Sequence, residues 1–176
     1  MVKLNDVRKR LAQPRCDNDL VLDMYAQLKR SGDFAGFVAL LHDDDALVAR
    51  NAAWVLTKCT KRELRQLLPM LNEFIDIALS TPSETLRRLT LNIIERLPLA
   101  KESIRTDFLD FCLDQMVRLS TPAGIQALCM KIAYRLCMHY PELHEEIMRT
   151  VGSLDLSLYQ PALKCTVKNV MQGKLR

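Results

Sequence analysis

The sequence predicts an all-α protein of about ten helices, arranged as five antiparallel pairs. Only 5 of its 176 residues are Gly and 7 are Pro, and aromatic residues make up 6%. This composition favours helices, and no stretch shows the apolar–polar alternation of a half-buried strand. The second observation is a helical spacing of apolar residues that returns three more times along the chain. A chain of this length suits one compact unit, so we expect a single helical-repeat domain over residues 1–176.

The clearest predicted helix covers residues 44–59. Its small and apolar side chains follow the i, i+3, i+4, i+7 spacing of a helix with one buried stripe. Three carboxylates, at residues 43–45, stand at its N-terminal end and are well placed to cap its free amide groups. The predicted stripe consists of Ala49, Ala52, Ala53 and Leu56.

Three shorter helices are predicted before this one. Pro14 should stop the first of them, because the residue before a proline is pushed away from helical geometry. Asp and Gly at the ends of the next two are typical N-terminal and C-terminal caps. The predicted segments are residues 2–12, then residues 17–30 capped by Asp17 or Asn18 and ended by Ser31-Gly32, then a short helix that Asp33 starts.

The remaining helices follow from prolines and from a repeated LSTP motif at residues 79–82 and 119–122. In this motif Thr81 can cap a helix, alone or in a capping box with Glu84, while Pro82 occupies a first-turn position that needs no amide hydrogen. Pro69 should bend its helix rather than end it. The predicted helices are 61–79, one running from the first LSTP motif to Leu97, 102–119, 122–138, one that opens at Pro141, and 156–171.

Alternate helices align in one register. Their buried positions recur at intervals of 37, 39 and 34 residues, and such a period built from helix pairs is typical of an α-solenoid. The aligned sets are Ala49, Leu86, Ile125 and Tyr159; Ala52, Leu89, Leu128 and Ala162; and Leu56, Ile93, Ile132 and Thr166.

One segment also resembles the second half of a HEAT repeat. It departs from that pattern at Ala49, where an arginine is usual and Arg50 comes one residue later. The resemblance implies a right-handed α–α superhelix of the HEAT or armadillo type and the role of a scaffold or adaptor. The residues that carry it are Leu40, Leu41, Asp43, Asp45, Val48, Ala52, Ala53 and Leu56.

The column opposite the buried stripe predicts a partner-binding surface. In solenoids the second helix of each pair usually lines the concave side, and apolar residues in a row rimmed by charge are typical of interfaces. The alternative is that Trp54 and Leu91 seal the joins between repeats. The predicted binding residues are Arg50, Trp54, Lys58, Arg87, Leu91, Met130, Tyr134, Lys164 and Lys168.

The first functional hypothesis is therefore a non-enzymatic protein-binding scaffold that takes a peptide, a helix or another subunit along this row. Homo-oligomerisation is one variant of it. Another is a regulatory or assembly module of an enzyme encoded elsewhere.

A second hypothesis is nucleic-acid recognition, because HEAT-like folds also include DNA-alkylation-repair glycosylases. The resemblance to those enzymes implies an acidic residue one turn beyond an aromatic one, whereas Lys58 follows Trp54 here. Basic residues that would contact phosphates in this hypothesis are Arg50, Arg87, Arg88, Arg96, Lys131, Arg135, Lys164 and Lys168.

No catalytic, cofactor or metal motif is complete. The segment from His144 begins like the HExxH zinc motif but has Met148 in place of the second histidine. The aspartates at 43–45 lack the alternating oxygen ligands of a calcium loop, and no glycine-rich phosphate loop occurs. We therefore predict no enzyme, no metal and no cofactor.

Cysteine usage and hydropathy favour the cytoplasm. The six cysteines include no CxxC pair and fall mostly at apolar helix positions, typical of reduced core residues. The first residues have no apolar leader segment, and no apolar run is long enough to cross a bilayer, so we expect no membrane partner. The net charge of +4 is only mildly basic.

Overall fold

The computed structural model describes residues 4–175, which form eleven α-helices and four short 3₁₀ turns with no strand among them. The all-α fold class predicted from the sequence is confirmed. The predicted start of the first helix at Val2 lies outside the described residues. The helices are α1 (Leu4–Leu11), α2 (Asn18–Ser31), α3 (Phe34–Ala39), α4 (Ala46–Leu56), α5 (Lys61–Leu67), α6 (Leu71–Ser80), α7 (Glu84–Arg96), α8 (Thr106–Val117), α9 (Ala123–Cys137), α10 (Pro141–Gly152) and α11 (Pro161–Met171).

These helices fall into two compact units, divided between Leu97 and Pro98. The first unit contains α1 to α7 and the second α8 to α11. Each is described below by itself. That residues 1–176 form a single domain stays a prediction.

Helix α4 lies at the centre of the first unit, in contact with α1, α2, α3 and α7. Its predicted stripe of Ala49, Ala52, Ala53 and Leu56 is buried. Val48, Asn51 and Val55 are buried as well, so neighbours cover α4 on most of its circumference. Alanines let the adjoining helices approach closely, which suits a central helix.

The predicted caps of α2 and α3 are confirmed. Asp17 accepts a hydrogen bond from the Leu20 amide at 2.9 Å, and Asp33 does the same for the Gly36 amide. Gly32 ends α2 with φ at 67°, in the left-handed region that glycine adopts without steric cost.

Two of the three aspartates before α4 have different structural roles. Asp45 is the N-cap and accepts from the Leu47 amide at 2.9 Å. Asp43 accepts from the Asp45 amide and forms a two-pronged ion pair with Arg8, at 2.6 and 2.8 Å. Asp45 therefore caps α4 as predicted, while Asp43 links α1 to the residues just before α4.

Pro69 interrupts its helix more strongly than predicted. Helix α5 ends at Leu67, a 3₁₀ turn covers Leu68–Met70, and α6 begins at Leu71. Proline has no amide hydrogen for the α-helical bond to the fourth residue back, and its ring crowds that carbonyl. The helical path continues, but its α-helical hydrogen bonding breaks for one turn.

Thr81 was wrongly predicted to cap the helix after the first LSTP motif. The N-cap of α7 is Ser83, whose hydroxyl accepts from the Leu86 amide at 3.3 Å. Thr81 stands two residues earlier in extended backbone, with ψ at 134°, and its hydroxyl accepts from the Ser83 amide instead. In the second motif the Thr121 hydroxyl donates to Gln115 at 2.9 Å, and α9 has no side-chain cap.

Helix α9 is the core of the second unit and packs against α8, α10 and α11. Its buried residues include Ile125, Leu128 and Ile132, as the register predicts, together with Met130 and Tyr134 on the opposite side. A helix that is buried all round is enclosed by neighbours rather than facing solvent.

Candidate functional site

A cleft of about 890 Å³ opens in the first unit beside Trp54. Its size falls in the range of sites that hold small ligands or side chains of a bound peptide. The lining residues are Pro14, Arg15, Cys16, Asp17, Arg50, Trp54, Thr57, Thr85, Arg88, Leu89 and Asn92.

Two helix faces and one loop build this cleft. The loop between α1 and α2 supplies residues 14–17, and the packed helices α4 and α7, with Thr57 at the C-cap of α4, supply the rest. On α7 the lining positions 85, 88, 89 and 92 follow i, i+3, i+4, i+7 spacing, so they form one face of that helix. The site therefore stands on two rigid elements rather than on loops alone.

Positive charge dominates the lining. Its charged side chains are Arg15, Arg50, Arg88 and one carboxylate, that of Asp17, which already accepts the α2 capping bond. Arg15 and Arg88 are exposed and make no hydrogen bond or ion pair with other residues in the described part of the chain. Both guanidiniums are therefore free to meet an anionic ligand.

Arg50 is held in place by a chain of hydrogen bonds. Its Nε donates to Asn51 Oδ1 at 3.0 Å, and Asn51 Nδ2 donates to the carbonyl of Leu11 at 2.8 Å. Asn51 is completely buried, so this anchor is shielded from water. The third arginine of the cleft is thus pre-positioned, which lowers the entropic cost of binding.

Trp54 gives the cleft an aromatic surface. Lys58 Nζ lies 5.8 Å from the centroid of the indole ring and also donates to Asn18 Oδ1 at 3.0 Å. This ammonium group therefore covers one face of the ring, while Trp54 remains partly exposed and lines the cleft. Leu89 adds apolar surface from α7.

The Cys16 thiol in the lining is not activated as a nucleophile. Burial raises the pKa of the Cys16 thiol, with Arg50 opposing that shift, so the thiol is mainly protonated at neutral pH. Within the described residues, no group of three or more His, Cys, Asp or Glu side chains is arranged to hold a metal ion. No helix there is long and apolar enough to span a membrane.

The structure brings three of the predicted binding residues to this cleft: Arg50 and Trp54 line it, and Lys58 lies over the indole ring. The predicted exposed row is wrong for three others. Leu91 and Met130 are 0% exposed and Tyr134 is 4% exposed, because packed helices surround α7 and α9. Lys164 and Lys168 are exposed on α11 in the second unit.

Arg87, another predicted binding residue, does not line the cleft and bonds backbone carbonyls instead. Its Nε donates to the Ala78 carbonyl at 2.9 Å, and an Nη donates to the Thr81 carbonyl, so it satisfies the end of α6. Gln126, in the same register position of α9, donates to the Arg118 carbonyl at 2.8 Å. Arg50 alone of these three equivalent residues faces the cleft.

Sequence reasoning named Arg88 only as a phosphate contact of the nucleic-acid hypothesis, and it missed the α1–α2 loop, Thr85 and Asn92. The i, i+3, i+4, i+7 spacing of Thr85, Arg88, Leu89 and Asn92 was a readable signal for a shared face. Arg15 carried no such signal, because only the fold brings its loop beside α4.

The sequence model of the HEAT repeat domain matches residues 7–174, nearly the whole chain. The chain belongs to the HEAT repeat family. The resemblance seen in one segment is thereby confirmed, and the family match extends it to nearly the whole chain. A comparison with curated proteins finds no match.

Proposed function

We propose that this HEAT repeat protein is a non-enzymatic protein-binding scaffold or adaptor, and that the cleft around Trp54 is its main contact with a partner. The observation that carries the proposal is the convergence of Trp54 with Arg50 and Arg88 on two packed helices. The HEAT repeat family favours a scaffold role in general.

The composition of the cleft supports a protein partner. Trp and Arg are the side chains most enriched among residues that dominate binding energy at interfaces. Here the Trp54 ring is partly exposed, and two of the arginines have no partner within the described residues. These groups are therefore available for contacts with a partner, since no other described residue bonds the two guanidiniums.

The absence of paired acid and base groups in the lining supports a binding role rather than catalysis. Asp17 is engaged as a helix cap, and burial raises the pKa of the Cys16 thiol. A cytoplasmic location, with six cysteines unpaired, belongs to the same proposal. A second copy of the chain is one form that the partner can take.

Nucleic acid is the competing occupant, because guanidinium groups also bind phosphates. Two of its predicted contacts, Arg87 and Arg96, already bond backbone carbonyls. Lys58 stands where the glycosylase pattern has an acid, and it lies over the indole ring. These contacts favour a protein partner over a polynucleotide.

Affinity capture from lysate, read by mass spectrometry, tests the proposal. The bait is compared with Trp54→Ala, Arg88→Glu and the control Arg62→Glu, which changes an exposed residue of α5 outside the cleft. Leu91 is left unchanged because it is fully buried and its substitution would disturb the core.

We expect the same protein to be enriched by the wild type and by Arg62→Glu, and to be lost with both cleft variants, each shown by circular dichroism to be folded. Nuclease treatment of the lysate should leave this capture intact. Capture that is equal for all four baits, or that nuclease abolishes, would overturn the proposal.

A further inference from the structure

We propose that the occupant of the Trp54 cleft is an acidic peptide segment, with carboxylate side chains on both sides of an aromatic residue. This inference rests on the proposed function and specifies its partner by chemistry.

The charge of the lining points to carboxylates. Arg15, Arg50 and Arg88 outnumber the single carboxylate of Asp17, whose oxygen is already used by the Leu20 amide. A guanidinium presents parallel N–H donors that match a carboxylate in a two-pronged bond. A ligand with more than one negative charge is therefore needed to neutralise this surface.

The arginines come from three different elements, which explains why carboxylates are expected on both sides of the segment. Arg15 lies on the α1–α2 loop, Arg50 on α4 and Arg88 on α7. A peptide with carboxylates on both sides of its aromatic residue can offer a negative charge to each of these elements. An extended peptide, whose side chains alternate in direction, can present carboxylates to separate elements.

Trp54 and Leu89 are the reason why we expect an aromatic residue in the bound peptide. They supply apolar surface from α4 and α7 to a lining that is otherwise mostly polar. A flat side chain placed there buries apolar area and stacks against the indole. Thr85 and Asn92 are also in the lining, and an amide side chain both donates and accepts, as bonding to a peptide backbone requires.

A polynucleotide fits the same surface less well. Duplex DNA carries a long row of phosphates, and proteins that bind it tightly neutralise many of them along an extended surface. Here three guanidiniums gather in one cleft, which matches a short segment with a few charges better than a long row of phosphates. Arg87 and Arg96 already donate to backbone carbonyls, which leaves fewer of their N–H groups for phosphates.

Fluorescence polarisation with the full chain tests this inference. The probe is a short fluorescein-labelled peptide with one phenylalanine flanked on each side by two glutamates in a glycine–serine background. Two comparison peptides replace the glutamates by lysines or the phenylalanine by alanine, and a duplex DNA oligonucleotide serves as a competitor. The protein variants are Arg88→Glu and its matched control Arg62→Glu.

We expect saturable binding of the acidic aromatic peptide and none of the lysine peptide. Arg88→Glu should weaken binding about tenfold or more, because it removes a charge-assisted contact and adds a repulsive charge. Arg62→Glu should bind like the wild type, and the alanine peptide should bind less tightly than the phenylalanine peptide.

Equal binding of the lysine peptide, no effect of Arg88→Glu, or tighter and equally Arg88-dependent binding of DNA would overturn the inference. The two proposals fail separately. If the acidic peptide does not bind while capture of a protein from lysate still depends on Arg88 and Trp54, only the acidic-peptide inference fails. If that capture is also independent of the cleft, the proposed function fails with it.

Discussion

Arg96 Nη1 donates a hydrogen bond of 2.5 Å to the carbonyl oxygen of Thr57, which joins α7 to the residue that ends α4. A second nitrogen of the same guanidinium donates to the Cys59 carbonyl, also at 2.5 Å. The last carbonyls of a helix have no partner within it, so Arg96 supplies donors that α4 itself lacks. Since α4 and α7 both line the cleft, this contact joins two of the elements that form it.

Arg96→Met should therefore destabilise the protein. Loss of two charge-assisted bonds at partly buried carbonyls should lower the free energy of unfolding by about 2–3 kcal/mol. Urea denaturation followed by circular dichroism measures this. The matched change Arg62→Met, at an exposed residue of α5, should stay within about 0.5 kcal/mol of the wild type. Equal effects of the two changes would show that the Arg96 contacts contribute nothing.

Thr90→Val should stabilise the protein. The Thr90 side chain on α7 is 0% exposed, and its hydroxyl has no hydrogen-bond partner among the described residues. Burying an unsatisfied hydroxyl costs free energy, and valine has nearly the same shape without that group. We expect the free energy of unfolding to rise by about 1 kcal/mol in urea denaturation. A decrease would mean that the hydroxyl is bonded in solution.

Tyr25→Phe should show a stability effect that depends on pH. The Tyr25 hydroxyl donates to Glu63 Oε2 at 2.6 Å and joins α2 to α5. Burial raises the pKa of the Glu63 carboxyl, but hydrogen bonds from Tyr25 and Thr60 outweigh it, so the pKa is lowered from 4.5 overall. Because the folded pKa lies below the unfolded one, the stabilisation is present above that unfolded value and is lost as pH falls through the folded pKa.

We therefore expect Tyr25→Phe to cost about 1 kcal/mol near neutral pH and progressively less once the pH falls below 4.5. Denaturation curves of both proteins across this range measure the difference. A cost that stays constant into strong acid would rule out the charged Glu63 acceptor.

Thiol labelling should separate the six cysteines into two classes. Cys165 is exposed and Cys16 half-buried, whereas Cys59, Cys112, Cys129 and Cys137 are buried. Burial raises the pKa of Cys59 to about 12 and that of Cys137 to about 11, which keeps these thiols protonated. In Cys165→Ser we expect a single thiol to react with a disulfide reagent before unfolding. A bound cleft ligand should slow that reaction, and fast labelling of more thiols would contradict the packing.

The helical periodicity predicted most of the helices, because helix formation depends on local spacing and caps. The stripe on α4 and the caps Asp17 and Asp33 were read correctly for that reason. The role of Thr81 was not, since the backbone path around Pro82 decides which hydroxyl reaches a free amide. The spacing of apolar residues does not show whether Thr81 or Ser83 caps the helix.

The candidate site was predicted only where it depends on one helix. Arg50, Trp54 and Lys58 share a face of α4, so their spacing revealed them together. Periodicity shows which residues share a face, but not how many neighbours cover the helix. Leu91 was therefore expected at the surface although it is fully buried, and Arg15 reaches the cleft only through the tertiary fold.

Trp54 is the only tryptophan in the chain, so its fluorescence reports on this cleft alone. Binding of the acidic aromatic peptide in the Trp54 cleft is tested by titrating that emission with the peptide, which contains no tryptophan or tyrosine. We predict a saturable change in emission whose dissociation constant equals that from polarisation and is weakened by Arg88→Glu. Unchanged Trp54 emission while polarisation reaches saturation would contradict the account, because the peptide would then bind elsewhere.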